Sequence, residues 1–156
     1  MSSVRTLLRR ILAGFLALGF LAVLGCGGGG GKAVNLKGKV VMPANMKLLD
    51  TDEVQITFTP EGSAGKAATA TAKAPSLTFE PTGATMKKGM APGKYKVGVS
   101  VTPYMGAPES QGRAQFFEDT INKAYSPGST NMTYEVTSDL DQSITIDLTK
   151  GTVTKG

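Results

Sequence analysis

Ala91-Pro92-Gly93-Lys94-Tyr95-Lys96-Val97-Gly98-Val99-Ser100-Val101 is a turn followed by a regular alternation. Pro92 pre-sets its own φ and Gly93 tolerates unusual backbone angles, so residues 91–93 make a tight turn. Tyr95, Val97, Val99 and Val101 then fall at every second position, which on a strand puts them on one face. The same period extends outward in both directions. Leu36, Gly38, Val40 and Met42 alternate with Lys37, Lys39 and Val41, until Pro43 and Asn45 interrupt. Val54, Ile56 and Phe58 alternate with Gln55, Thr57 and Thr59, and Pro60-Glu61-Gly62 turns the chain. Ala67 to Lys73 is a weak Ala/Thr alternation whose small residues fit beneath another layer. Leu77 and Phe79 mark a short strand between Pro75 and Pro81. Further on, Met132, Tyr134 and Val136 form one strand, Ser138 to Gln142 turns, and Ile144, Ile146 and Leu148 form the last.

Six or seven short strands with one apolar face each are what antiparallel sheets packed on one side require. The expectation is therefore an all-β fold, an antiparallel β-sandwich of about seven strands over residues 34–150. Only eight aromatic residues lie beyond position 25, so the core is mostly aliphatic. Residues 103–129 are less regular. Phe116-Phe117 reads as a short strand or an anchor, and Asp119 to Ala124 as one helical turn before Tyr125-Ser126-Pro127-Gly128.

The chain has 156 residues, no His, no Trp and one Cys. Lacking His removes the commonest general base and the commonest transition-metal ligand. A single Cys removes intrachain disulfides and multi-cysteine zinc patterns. No catalytic residue, cofactor or metal is expected, and the chain does not read as an enzyme. The carboxylate groups have simpler readings. Asp50, Asp52 and Glu53 make a solvated acidic loop lacking the twelve-residue ligand pattern of a calcium-binding hand. Glu118-Asp119 caps the helical turn, and Asp139-Leu140-Asp141 sits in a hairpin turn. Tyr104, Phe116, Phe117 and Tyr125, with Arg113, surround the irregular stretch. They are either core filling or an interaction surface on variable loops.

Residues 1–25 stand apart. Arg5, Arg9 and Arg10 precede the 14-residue apolar run Ile11–Leu24. As a helix the run spans about 21 Å, short of the ~30 Å hydrocarbon core, so it reads as an export signal rather than a permanent span. Residues 26–33, mostly glycine, form a flexible tether of about 15 Å mean span. Without the three leader arginines, 14 basic and 12 acidic side chains remain, a net of +2. Those lysines are scattered, and Arg113 is the sole Arg beyond the leader, so no nucleic-acid footprint is formed.

Val23-Leu24-Gly25-Cys26 resembles the lipobox of bacterial lipoproteins. The resemblance implies cleavage between Gly25 and Cys26, acylation of Cys26 and anchorage in membrane lipid. Gly27 rather than Asp after the Cys favours the outer over the inner membrane of the cell envelope. Leu36-Lys37-Gly38-Lys39-Val40 with Val54-Gln55-Ile56-Thr57-Phe58-Thr59-Pro60-Glu61-Gly62 resembles the opening of carboxypeptidase regulatory-like, transthyretin-like domains. Met90-Ala91-Pro92-Gly93-Lys94-Tyr95-Lys96-Val97 resembles that family's hairpin. Lys123-Ala124-Tyr125-Ser126-Pro127-Gly128-Ser129-Thr130 resembles a tail segment of small planctomycete lipoproteins. This sequence departs from the pattern in its middle strands and in the longer loop Ala44 to Asp52. The family implies a seven-stranded sandwich serving as a non-catalytic structural or interaction module; the sequence leaves its partner open between an envelope protein and a polysaccharide. The alternative is a carbohydrate- or small-ligand-binding lipoprotein using the 103–129 loop.

Two or three acyl chains on one residue bind a bilayer essentially permanently, since each buried methylene contributes about 0.8 kcal/mol. Cys26→Ser is therefore expected to move the protein out of the membrane fraction, and the mass of the native Cys26 peptide to include the acyl groups. An unmodified Cys26 in an uncleaved chain would refute the anchor.

Overall fold

The structure, a computed structural model, describes residues 33–62, 65–83, 88–106 and 110–156. The expected export signal over residues 1–25, with Gly25, Cys26 and the expected tether up to residue 32, lies outside the described residues. Among them are nine strands: β1 (Asn35–Val41), β2 (Glu53–Pro60), β3 (Ala68–Lys73), β4 (Thr78–Phe79), β5 (Thr82–Gly83), β6 (Gly93–Thr102), β7 (Thr133–Val136), β8 (Asp141–Asp147) and β9 (Thr152–Lys155). They form two sheets, ordered β4-β1-β8-β9 and β5-β3-β2-β6-β7, which make an all-β sandwich.

The alternation in the sequence becomes the division between inside and outside. Val54, Ile56 and Phe58 of β2 are buried, as are Tyr95, Val97, Val99 and Val101 of β6 and Ile144 and Ile146 of β8. Ala68, Ala70 and Ala72 of β3 are buried too, their small side chains leaving room for neighbouring layers. Phe58 meets Phe79 of the opposite sheet at 6.2 Å between ring centroids, and Tyr95 edge-on at 6.4 Å. Fully burying a side chain such as Phe58 contributes about 1.5–3 kcal/mol. The Tyr95 hydroxyl donates to the Ala91 carbonyl at 2.9 Å, so its one polar atom is satisfied inside the core.

Several expectations are corrected. The sandwich is not wholly antiparallel: β1 and β8 run parallel along their full length, from Asn35 opposite Asp141 to Val41 opposite Asp147. Period-two patterning specifies which face is buried but not which strand lies alongside, so the pairing was not readable. The Asp139-Leu140-Asp141 turn is no hairpin, because β7 and β8 belong to different sheets and the segment crosses between them. Leu77 lies before β4 at φ 51°, in the turn rather than the strand. β9 pairs with β8 beyond residue 150, where the sequence placed the domain's edge.

The largest departure is in 103–129. Ser110–Phe117 is an α-helix (α1), which continues through a π-helical turn at Glu118–Asn122 into Lys123–Tyr125 (α2). Phe116-Phe117 thus ends a helix and is no strand, and Asp119 lies inside helical structure, not at its start. Glu118 and Asp119 cap nothing. They accept side-chain hydrogen bonds from Asn122 and Gln115, each one helical turn away.

This helical segment covers an edge. β7 pairs with β6 only at Gly93–Lys96. Beyond that, the Asn122 side chain takes the place of a neighbouring strand: its Oδ1 accepts from the Val101 N–H at 2.8 Å and its Nδ2 donates to the Val101 carbonyl at 3.2 Å. The Thr130 hydroxyl donates to the Val97 carbonyl at 2.9 Å, and the Val97 N–H donates to the Met132 carbonyl at 2.9 Å. Edge groups that would otherwise be free to pair with another chain are thereby occupied.

The turn after α2 presses on β6. A Cβ built on Gly98 would lie 2.7 Å from the Pro127 nitrogen and 2.8 Å from its Cα, both backbone atoms. Gly98→Ala is expected to destabilise the fold by about 1–3 kcal/mol through overpacking. Gly128→Ala, which meets nothing within 4 Å, should fall within about 0.5 kcal/mol of the parent. Urea denaturation of the two variants checks the contrast.

Candidate functional site

The sandwich has two distinct ends. At one end lie Val34, bridged to Met90, and the starts of β1 and β6. Glu61, just past β2, donates its N–H to the Lys94 carbonyl there, and Leu140 accepts from the Asn35 N–H. The chain from residue 33 reaches the domain at this near end. At the far end lie the end of β1, the loop 42–52, the start of β2, the exit of β6 and the start of α1.

The far end is organised by Asp52. The sequence placed this residue in a solvated loop, yet it is fully buried. Its Oδ2 accepts from the Leu49 N–H at 2.8 Å, and its own N–H donates to the Leu49 carbonyl at 3.0 Å, closing the end of the 42–52 loop. Its Oδ1 accepts from the Tyr104 N–H at 3.3 Å. Arg113 of α1 donates Nη2 to Oδ2. One carboxylate thus joins the loop before β2, the strand exit after β6 and the helix. Burying an ion is costly unless it is paired and hydrogen-bonded, and here the carboxylate has both kinds of partner.

Arg113 also lies over the Phe117 ring, 5.5 Å from its centroid, a cation–π arrangement. Phe117 is buried and meets Phe116 at 5.7 Å. The Ser110 hydroxyl donates to the Met105 carbonyl at 3.4 Å, holding the start of α1 against the chain beyond β6.

Around this knot, apolar side chains face outward. The large hydrophobic residues exposed among the described residues are Val41, Leu49, Tyr104, Met105, Phe116 and Leu140. All but Leu140 belong to the far end or the helix docked there. Scattered exposed apolar residues are ordinary; here five of the six lie at one end of the sandwich or on the helix docked there.

The five residues singled out by sequence separate accordingly. Tyr104 and Phe116 are exposed. Phe117 is core, Arg113 is held by Asp52, and the half-buried Tyr125 donates its hydroxyl to the Leu148 carbonyl at 2.9 Å. Leu49 and Met105 were missed: Leu49 follows Leu48, which packs against the core, and Met105 follows Tyr104, and neither loop has a period that says which side chain faces out. Asp52 was missed because burial of an acid depends on an arginine 61 positions away. Of the other carboxylates, Glu53 pairs with Lys73 at 3.2 Å, Asp139 accepts from the Thr137 hydroxyl at 2.8 Å, and Asp141 accepts from the Asn35 amide at 2.9 Å. Among the described residues there is no group of three or more His, Cys, Asp or Glu placed to hold a metal ion, and no helix long and apolar enough to cross a membrane.

Arg113→Ala leaves the Asp52 carboxylate buried without its cation. It is expected to cost about 3 kcal/mol, while Asp52→Asn combined with Arg113→Met costs clearly less than the sum of the two single changes. A double-mutant cycle by chemical denaturation measures this coupling.

Searches of protein-family models, of curated proteins and of solved structures find no match to this chain.

Proposed function

We propose that this chain is a lipid-anchored cell-envelope protein whose β-sandwich is a non-catalytic interaction module, presenting its far end to a partner protein. The observation carrying this reading is the gathering of Val41, Leu49, Tyr104, Met105 and Phe116 at the end opposite the point where residue 33 enters. A domain tethered through residues 26–33 to an acylated Cys26 attaches by its near end and leaves the far end free to meet a partner. The knot at Asp52 supports the same reading, because it gives the exposed side chains a fixed backbone and lowers the ordering cost of binding. The two-sheet sandwich and the Pro92-Gly93 turn leading into β6 support a transthyretin-like, carboxypeptidase regulatory-like assignment. The absence of His and the full engagement of the Asp52 carboxylate favour binding over catalysis. An outer-membrane location is the preferred address.

Tyr104 and Leu140 are equally exposed, at 57%, but at opposite ends, which makes them matched positions for a photo-crosslinking residue in cells. A crosslinker at Tyr104 or Phe116 is expected to give a discrete protein adduct, and one at Leu140 none. Leu49→Ser with Phe116→Ser should abolish the Tyr104 adduct while leaving the midpoint of unfolding nearly unchanged. Equal crosslinking from both ends would overturn the reading.

A further inference from the structure

A second surface, independent of the far end, has a different chemistry. The outer face of the sheet β4-β1-β8-β9 holds an open cleft of about 640 Å³, lined in part by Lys37, Lys39, Thr78, Glu80, Ser143 and Thr145. Its size falls within the usual range of ligand sites. We propose that this cleft binds an acidic polysaccharide, a chain of carboxylated sugars lying across the strands.

The register builds the surface. Residues paired directly across strands share a face. Lys39 pairs with Thr78 of β4 on one side and Thr145 of β8 on the other, and Thr145 pairs with Thr154 of β9. Lys37 pairs with Ser143 in the adjacent outward row. Leu36, Val40, Ile144 and Ile146 point inward from the same strands. The result is a band of hydroxyls with two ammonium groups at its centre. At ~4.8 Å between strands the band is about 14 Å long, and the two lysine Cα atoms are about 7 Å apart along β1.

The chemistry of the band selects the ligand. Phe79, the one aromatic ring lining the cleft, is buried against Gly38 and offers no face for a neutral sugar to stack on. Recognition therefore rests on charge and hydrogen bonds, which suits a polymer carrying both carboxylates and hydroxyls. Lys39 has no carboxylate within ion-pair distance among the described residues. Lys37 shares Glu80 with Lys88, at 3.6 and 3.2 Å. The Lys88 hydrogen bond and charge, with a smaller contribution from Lys37, hold the Glu80 carboxyl below its usual range, so it stays ionised and competes for Lys37. Asp141 and Asp147 lie in the rows at either end of β1, so the positive band runs across the strands rather than along them. A repeating anion suits two separated cations flanked by hydroxyls better than a single phosphate does.

The test titrates the intact protein in detergent with oligogalacturonate, its methyl-esterified neutral form, inorganic phosphate and anionic lipid vesicles, and reads binding by thermophoresis. Oligogalacturonate is expected to bind, and binding should weaken in 0.5 M salt because exposed charges are screened. Lys37→Ala with Lys39→Ala should weaken it at least tenfold, and Glu80→Gln should tighten it severalfold. Leu49→Ser with Phe116→Ser should leave it unchanged, which separates this site from the far end. Circular dichroism verifies that each variant is folded. Equal binding of the neutral form, retention in the double lysine variant, or preference for phosphate or vesicles would overturn the proposal.

Discussion

One buried carboxylate holds together the parts of this protein that are not sheet. Asp52 receives the backbone of Leu49 and of Tyr104 and the guanidinium of Arg113, and so connects a loop, a strand exit and a helix. Tyr104 and Arg113 lie 52 and 61 positions from Asp52, so these two contacts close large loops. The helical segment then depends on that anchor. Its residues Ser110-Gln111-Gly112-Arg113-Ala114-Gln115-Phe116-Phe117 include a Gly and no regular apolar stripe, which is a weak intrinsic case for a helix. Arg113 at one end, Phe117 and Ile121 in the core, and Asn122 on the edge of β6 supply what propensity does not.

Those facts explain what could be read in advance. The strands with strong alternation, β1, β2, β6 and β8, lie where Leu36, Val54, Tyr95 and Ile144 put them, because burial of one face is a local property of sequence. The weak Ala/Thr alternation of β3 was legible for the same reason. The helix was not, since Arg113 and Asn122 act through partners that only the fold brings near. The site divides in the same way. Tyr104 and Phe116, which the sequence left open between core filling and surface, are exposed, and Phe117 is buried; Phe116 and Phe117 are indistinguishable neighbours in sequence and diverge only because a helix turns one inward. Leu49 gave no sign, because Leu48-Leu49 in a loop has no period to say which of the two faces out.

Parts of the sheet edges are closed to pairing with other chains. β4 and β5 are two residues each, too short to template another strand. The exposed part of β6 is occupied by Asn122, Thr130 and Met132. The outward faces carry Lys, Thr and Ser in place of the apolar residues that stacking would need. Apart from Leu140, the large hydrophobic side chains exposed among the described residues lie at one end or on the helix docked there.

The parallel alignment of β1 with β8 sets the order in which the molecule can be assembled. Asn35 and Asp141, neighbours in the finished sheet, are 106 positions apart. A polypeptide emerging amino end first from a ribosome or a translocation channel exposes Leu36 and Val40 long before their companion segment exists. Distant pairings of this kind close slowly, because chain entropy is lost before any contact is gained. The sheet β4-β1-β8-β9 therefore cannot be completed until nearly the whole domain has been made, whereas every strand of the other sheet is present once Val136 has emerged.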